Sequence, residues 1–389
     1  MYSLGKVYPL IIPSLLKEKI PDLAGGAGTP RMIYDPERGC WLLFFTGWIN
    51  ANRREVFVAE VNKDFTLEIV KKILSASPTR DAVNVAYNPW IDGYILLTTE
   101  GGSLHIRHFD KDFNEVSHKC LVEKDMQDCG AGILMLMGKY TEENPNAVIF
   151  YPRREKVLMR LVNRVDDLNL LKLSDEIVFS HWAEPNDVID AFRVNDKLGV
   201  LVEYYTDKQS WRSRIAMTGD YFTPELRALS APLPVPFNDA YSNFGHPSFT
   251  TGPDGVPKVL FSFFMSHAPP FPITDYSRQW RHEIWVWEPA VNIFDPRTYG
   301  RMYDKIVFNK KTKPPLYDLM SAEKIILQVK PRGAMLTLEE SSSIEDFLEG
   351  SIAESRLLVE NKAVVENPLN ALRIKAEENV VVYLTAIYS

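Results

Sequence analysis

Several carboxylates stand just before or at the start of short apolar segments of the sequence. They are Asp81, Asp128, Glu184 and Asp187. Two carboxyl groups on opposite sides of a bond can act as general acid and as base or nucleophile, so this set is suited to acid–base cleavage. Each residue also has a structural interpretation, because acidic residues before a strand often cap a turn or lie in a solvated loop.

Other ionisable side chains share this position along the chain. Arg31 follows Thr29-Pro30, and its planar guanidinium could bind a carboxylate, a phosphate or a hydroxyl group. His246 opens another such segment, and Asp239 lies a few residues before it. The structural alternatives are a buried salt bridge for Arg31 and a hydrogen-bonded histidine for His246. Asp190 stands within a segment and is expected to form a structural ion pair.

Short strands that recur along the chain must position these residues. The sequence Asn62-Lys63-Asp64-Phe65 recurs 48 residues later as Asp110-Lys111-Asp112-Phe113. Around both copies, aromatic and β-branched segments are bounded by Gly, Asp, Asn and Pro, which is typical of strands and turns. The first strands of the repeats are expected near residues 32, 83, 133, 188 and 247, a period of about 50 residues.

A period of this length with three or four strands per unit indicates a β-propeller. One blade cannot bury both of its faces alone, whereas a ring of blades buries them and leaves only short edges. We therefore predict an all-β, five-bladed β-propeller, with a β-sandwich or two unrelated β domains as the alternative. Residues 1–24 are expected to supply an outer strand that closes the ring. The first strands would then start at one mouth of an axial channel, where the carboxylates would meet.

The end of the chain has a different pattern. Residues 318–389 contain segments that alternate like strands, and an acidic, serine-rich stretch separates two of them. We predict a propeller over residues 1–317 and a small C-terminal β-rich appendage over 318–389. This appendage would pack either on the propeller or on a second subunit of a homo-oligomer.

Several motifs resemble five-bladed glycosidases. Gly28-Thr29-Pro30-Arg31 and the following aromatic strand resemble the first blade of glycoside hydrolase families 43 and 130. Arg80-Asp81-Ala82 is similar to the family 130 segment that holds its catalytic Asp, and Gly130-Ala131-Gly132 resembles the third blade of that family. Gly245-His246-Pro247 resembles the last blade of family 43. The resemblance covers roughly residues 24–290.

The resemblance implies a carbohydrate as ligand or substrate. Trp48 and Trp182 would stack on sugars, and Arg31, Asp239 and His246 would bind them. No cofactor is implied, apart from a structural ion in the channel near His246.

Two departures make the chain an outlying relative. Thr29 stands where both families carry an Asp, which is the general base in family 43. Thr98-Thr99-Glu100 stands where family 130 carries an Arg-Pro strand end.

Composition excludes several other classes. The 44 basic and 51 acidic residues give a net charge of −7, which argues against a nucleic-acid partner. The sequence contains no run of 18 apolar residues, so neither a membrane-spanning segment nor a membrane partner is expected. The three cysteines form no CxxC pair, so neither a zinc site nor a disulfide framework is indicated. The N-terminal apolar piece lacks a small-residue cleavage site, and a cytoplasmic protein is therefore expected.

Together these observations favour a glycosidase, a hydrolase that cleaves a glycosidic bond with channel carboxylates. The acid would be Asp81 or Glu184, and Asp128 and Asp187 would act as base or as partners that set its pKa. A non-catalytic carbohydrate-binding or structural propeller is the first alternative, because Thr29 removes the expected base. A glycoside phosphorylase is the second, because phosphate can replace the missing carboxylate.

Overall fold

The structure of the chain is a computed structural model. It describes residues 4–12, 15, 18–21, 26–50, 53–77, 80–123, 126, 130–136, 146–153, 156–181, 185–194, 197–207, 210–219, 226–235, 243–264 and 282–389. Strands account for most of these residues. Among them, no helix combines the length and the apolar character that crossing a membrane would require.

The N-terminal three quarters of the chain fold as consecutive antiparallel groups, in which most strands pair with the next strand along the chain. The opening strand is β1 (Gly5–Ile11). The first group is β2 (Gly26–Asp35), β3 (Cys40–Asn50), β4 (Arg53–Val61) and β5 (Leu67–Ser77). The next is β6 (Arg80–Asn88), β7 (Gly93–Glu100), β8 (Ser103–Phe109) and β9 (Glu115–Val122). It is followed by β10 (Gly132–Leu136), β11 (Asn146–Arg153), β12 (Lys156–Asn163), β13 (Lys172–Leu173) and β14 (Ile177–His181).

The last two groups of this part contain longer strands. One is β15 (Pro185–Val194), β16 (Lys197–Asp207) and β17 (Ser210–Gly219), continued by β19 (Leu229–Pro232) after the short β18 (Leu226–Arg227). The other is β20 (Asn243–Thr251), β21 (Pro257–Phe264) and β22 (His282–Pro289). The opening strand β1 pairs antiparallel with β22 and so takes the outer position that the sequence predicted for it.

The sequence repeat corresponds to two equivalent turns. Asn62 Oδ1 accepts hydrogen bonds from the backbone N–H groups of Asp64 and Thr66. Asp110 Oδ1 accepts them from the N–H groups of Asp112 and Asn114. Such side chains replace a backbone acceptor in a tight turn, and this role explains why Asn and Asp stand at the same position of both copies.

Alternating residues of one strand face different neighbouring groups. In β3, Leu42 and Phe44 pack into a core with β6 and β7, whereas Leu43 and Phe45 pack into another core with β21 and β22. Equivalent cores fill the space between the other neighbouring groups. Both faces of these groups are therefore buried against neighbours, which is the packing of propeller blades.

The first strands of the groups contact one another in a closed sequence. β2 contacts β6, β6 contacts β10, β10 contacts β15, β15 contacts β20, and β20 contacts β2. Later residues of all five strands line one cavity, so the strands run in the same direction and finish at the same end of the ring.

The C-terminal strands form a sandwich that continues one group. They are β23 (Arg301–Val307), β24 (Leu316–Asp318), β25 (Lys324–Lys330), β26 (Leu336–Ser341), β27 (Glu354–Leu358), β28 (Lys362–Glu366), β29 (Ala371–Ala376) and β30 (Val381–Ile387), with the helix α1 (Ile344–Leu348). One sheet has the order β15-β16-β17-β19-β23-β30-β25-β28, and the other has the order β18-β24-β29-β26-β27.

The two parts of the molecule share buried residues. Leu229 and Ala231 of β19 belong to the core of the sandwich. Buried Arg227 of β18 donates to Asp304 Oδ1 at 3.0 Å, and Tyr317 donates to Asp304 Oδ2 at 2.8 Å. The domain division at residue 317 stays a prediction. In the pairing described here, β23 and β24 already belong to the C-terminal sheets.

Candidate functional site

Polar side chains gather where the first strands begin. The pairing register shifts near this end in β2 between Gly28 and Arg31, in β6 between Arg80 and Val83, and in β20 between Gly245 and Ser248. A bulge of this kind re-aims the side chains beside it and is common next to functional sites. The backbone at this end of the strands therefore departs from the regular pairing of their middle parts.

Two of these bulges contain strained residues. Thr29 has a φ of +46° and His246 a φ of +49°, and each precedes a proline. A β-branched or bulky residue with positive φ is uncommon, and it persists where the surrounding structure imposes it. Thr29 is held by its N–H, which donates to Ser262 Oγ at 2.8 Å, and by a 2.7 Å hydrogen bond between its hydroxyl and that of Thr46.

Arg31 and Asp190 form a buried ion pair inside the ring. Their Nε and Oδ1 atoms are 3.4 Å apart, and both residues are more than nine-tenths buried. Arg31 Nη1 also donates to the carbonyl oxygens of Pro30 and Pro247. The salt bridge that the sequence left as an alternative for Arg31 and the ion pair that it predicted for Asp190 are thus one interaction.

Asp190 connects several first strands. Its Oδ1 accepts from Asn84 Nδ2 of β6 at 3.1 Å, and its Oδ2 accepts from the Phe249 N–H of β20 at 2.7 Å. Asn84 Oδ1 in turn accepts from the Ile133 N–H of β10 at 3.1 Å. Burial raises the pKa of Asp190, while Arg31 and these donors oppose that shift. Both carboxylate oxygens are engaged, so Asp190 holds the ring together rather than offering an oxygen to a ligand.

His246 faces a buried carboxylate that the sequence analysis did not single out. Its Nε2 lies 3.5 Å from Oε2 of Glu203, which is fully buried in β16. Burial and the positive charges of Arg54 and Arg31 lower the pKa of His246 to about 3. The imidazole is therefore neutral at neutral pH, with one nitrogen as donor and the other as acceptor.

Trp48 borders the same end of the channel. It is 4% exposed, and the Arg54 guanidinium carbon lies 3.8 Å from the centroid of its ring. This cation–π contact covers one face of the indole. A sugar could stack on that face only after Arg54 moved away.

The surroundings of His246 do not suit a cation. Two guanidinium groups, those of Arg31 and Arg54, act on it, and Glu203 is the carboxylate beside it. Within the described ranges, no group of three or more His, Cys, Asp or Glu side chains could hold a metal ion. The structural ion implied by the resemblance therefore has no set of ligands among these residues.

Several of the expected catalytic and substrate-binding residues lie outside the described part of the chain. Asp128, Glu184, Trp182 and Asp239 are outside it entirely. Asp81 and Asp187 lie in β6 and β15, but their side chains are not among the described ones. Their strands do bring them to the same end of the ring. Asp187 lies directly opposite Glu203 in the β15–β16 register.

The sequence did not predict Glu203 and Arg54, because the candidate residues stand at the starts of first strands and these two do not. Glu203 lies in β16, the second strand of its group, and Arg54 lies in β4, the third strand of its group. Glu203 interrupts the apolar run Leu198–Val202, and an ionisable residue inside an apolar strand is a signal of a buried polar site. Arg54 carries no comparable signal, because it stands beside another arginine at the beginning of a strand.

Comparisons with known proteins address the fold. No protein-family model matches the chain, and no curated protein matches it. The solved catalytic domain of the GH62 α-L-arabinofuranosidase from Coprinopsis cinerea matches with a TM-score of 0.51 at 10% identity, over 75% of this chain and 100% of that chain. The GH43B protein of a xyloglucan locus from Bacteroides ovatus matches with a TM-score of 0.47 at 9% identity, over 98% and 100% of the two chains. An α-L-arabinofuranosidase from Lactobacillus brevis gives 0.46 at 10% identity, over 72% and 92%.

The match to the Coprinopsis cinerea domain confirms the all-β, propeller-like fold and the fold-level resemblance to glycosidases. At this identity it shows the fold alone. What the site does is a separate question, because one fold can carry many activities.

Proposed function

We propose that the chain is a five-bladed β-propeller that cleaves a glycosidic bond at the channel mouth where the first strands begin. The match of 75% of the chain to a complete α-L-arabinofuranosidase catalytic domain is the observation that carries the proposal. The closed sequence of contacts among β2, β6, β10, β15 and β20 supports the five-blade count.

The mechanism requires one carboxyl group as acid and a second as base or nucleophile. Asp81 or Glu184 would protonate the leaving oxygen, and Asp128 or Asp187 would serve as its partner. Glu203 acts here as a positioning residue, because its buried carboxylate lies beside His246 and opposite Asp187 in the sheet. His246 would orient a sugar hydroxyl as a neutral donor and acceptor, since its pKa is lowered to about 3.

Arg31 would have a different part in this site. Its guanidinium already contacts Asp190 and two backbone carbonyls. It would therefore bind substrate only through its remaining N–H groups, and it adds to the lowering of the His246 pKa after burial and Arg54.

A non-catalytic sugar-binding propeller is the second candidate, and the environment of Thr29 favours it. Thr29 is 2% exposed, and its hydroxyl is engaged by Thr46. The position at which related enzymes carry their base thus offers no proton acceptor of suitable strength. A phosphorylase would avoid this loss, because phosphate would attack in place of an activated water.

The test is sugar release from a panel of oligosaccharides and aryl glycosides, with and without phosphate, by the wild-type chain and by Asp81→Asn and Glu184→Gln. We expect release to fall by at least about 100-fold in one of these variants, the scale of general acid catalysis. Asp166→Asn is the matched control, because Asp166 pairs with Arg164 at the surface. Phosphate dependence would identify a phosphorylase.

Undiminished release in both carboxylate variants would contradict the proposed roles. Absence of release from every substrate, combined with a rise of the melting temperature in the presence of sugars, would instead establish the binding propeller.

A further inference from the structure

A second concave site lies at the opposite end of the first strands. Tyr34 and Tyr87 stand next to the last residues of β2 and β6, whereas the candidate site lies where those strands begin. Together with Tyr94, Pro36, Glu37 and Lys111 they line a cavity of about 130 Å³ between the first two groups. We call it the tyrosine pocket. It adjoins the lower opening of the axial channel, a cavity of about 360 Å³ that shares Tyr34 and Tyr87 with it.

The walls of the tyrosine pocket are aromatic and rigid. Tyr87 is 42% exposed, and its ring packs edge-on against buried Tyr94 with centroids 5.9 Å apart. Tyr94 itself stacks on Phe113 at 5.3 Å. A tyrosine ring held in this way gives a ligand a large apolar contact at a small cost in conformational entropy.

Hydrogen bonds fix the polar rim of the pocket. Tyr87 donates to Asp92 Oδ1 at 2.7 Å, and Tyr94 donates to Asp35 Oδ2 at 3.0 Å. Lys111 Nζ lies 2.5 Å from Glu37 Oε2 and 3.0 Å from Asp92 Oδ1. The rim is therefore formed before a ligand arrives.

The charges of the rim select the kind of ligand. The ammonium of Lys111 is already neutralised by two carboxylates, so an anionic ligand would meet Glu37 and Asp92 rather than a free cation. A cationic ligand would have to displace the ammonium of Lys111 from these two carboxylates. A purely apolar ligand would desolvate the rim without replacing its hydrogen bonds, at a cost in free energy. A neutral ring with hydroxyl groups at its edge can pack its apolar face on the aromatic walls and form hydrogen bonds with the polar rim.

We propose that the tyrosine pocket binds one sugar unit of a neutral polysaccharide, on the face of the molecule opposite to the candidate active site. The identity of the ligand rests on the proposed carbohydrate function. Because the two sites lie at opposite ends of the ring, a polysaccharide held here tethers the protein to its polymer while the channel mouth stays open.

Affinity electrophoresis in gels that contain soluble xylan, xyloglucan or arabinan tests this proposal. We expect at least one polysaccharide to retard the wild-type chain, and Tyr87→Ala to raise the apparent dissociation constant about tenfold, as expected for removal of an aromatic anchor. Tyr87→Phe keeps the ring and should retain most of the binding. Val116→Ala alters a more exposed apolar side chain of the same group outside the pocket and should migrate like the wild type.

The outcomes separate this proposal from the proposed function. Equal retardation of the wild type and Tyr87→Ala, or no retardation by any polysaccharide, would overturn the tyrosine pocket as a sugar site. Release from small aryl glycosides should be unchanged in Tyr87→Ala, because those substrates reach only the channel mouth. If retardation depends on Tyr87 although no substrate is cleaved, the pocket stands while the catalytic function fails.

Discussion

At the scale of single residues, Asp190 has a structural task that its carboxylate chemistry alone would not reveal. It accepts hydrogen bonds from β6 and β20 and pairs with Arg31 of β2. Removing one partner of a buried ion pair leaves the other charge uncompensated in a low-dielectric environment, which is far costlier than losing a surface pair.

Asp190→Asn should therefore lower the free energy of unfolding by about 3–5 kcal/mol. Asn has almost the same shape as Asp, so the loss would come from the buried charge of Arg31 rather than from a cavity. Urea denaturation followed by tryptophan fluorescence measures it, with Asp166→Asn as a surface control expected to cost about 1 kcal/mol or less. A loss for Asp190→Asn as small as that for the control would show that the Arg31 charge is solvated.

The lowered pKa of His246 also makes stability depend on pH. The unfolded chain binds a proton at this residue near its ordinary pKa of about 6.5, whereas the folded chain resists it until about pH 3. Between these values the unfolded state binds more protons, so the contribution of neutral His246 is complete above about pH 6.5 and is lost as pH falls towards 3.

The variant His246→Gln has no titrating side chain at this position, so its unfolding free energy should lack this pH-dependent contribution. The difference in unfolding free energy between the wild type and the variant should shrink by up to about 1.4 kcal/mol per pH unit between pH 6 and pH 4. Urea denaturation at several pH values measures it. Parallel stability curves for the two proteins would mean that Glu203 stabilises the imidazolium and keeps the pKa of His246 near normal.

At the scale of elements, the ring is closed by strands from the two ends of the propeller sequence. β1 pairs with β22, and Trp287 Nε1 donates to the carbonyl oxygen of Leu4 at 2.9 Å. Tyr8 donates to Glu288 at 2.9 Å. Without β1, the edge of β22 would expose unpaired backbone groups and the buried ring of Trp287.

A chain that lacks residues 1–11 should consequently lose several degrees of melting temperature and associate through the open edge. Differential scanning calorimetry and size-exclusion chromatography measure the two effects. Tyr8→Phe is the milder control, because it removes one hydrogen bond and keeps the strand, at a cost of about 1 kcal/mol. An unchanged melting temperature of the shortened chain would show that β1 contributes little to closure.

At the scale of the whole molecule, the propeller and the C-terminal sandwich form one continuous structure. They share the sheet that runs from β15 to β28, the core around Leu229 and Ala231, and the buried bonds among Arg227, Asp304 and Tyr317. The sandwich therefore extends the outer edge of one group, where β23 pairs with β19. It packs on the propeller, one of the two arrangements that the sequence left open.

The sequence by itself determined the repeat and most of the strands that follow from it. Local patterns were sufficient, because alternating apolar residues and Asx turns such as those at Asn62 and Asp110 act within a few residues. It also indicated which strand ends carry polar residues, and it offered a salt bridge for Arg31 and an ion pair for Asp190 without identifying the partner of either. The roles of Asp81, Asp128, Glu184 and Asp187 stay predictions.

Only the tertiary structure decided which distant residues meet. Glu203 lies 43 positions from His246, and Asp190 lies 106 positions from Asn84. No local pattern records such separations, since they arise when the groups pack into a ring. The tyrosine pocket also depends on tertiary packing, because Tyr34 and Tyr87 come together only where two neighbouring groups pack side by side.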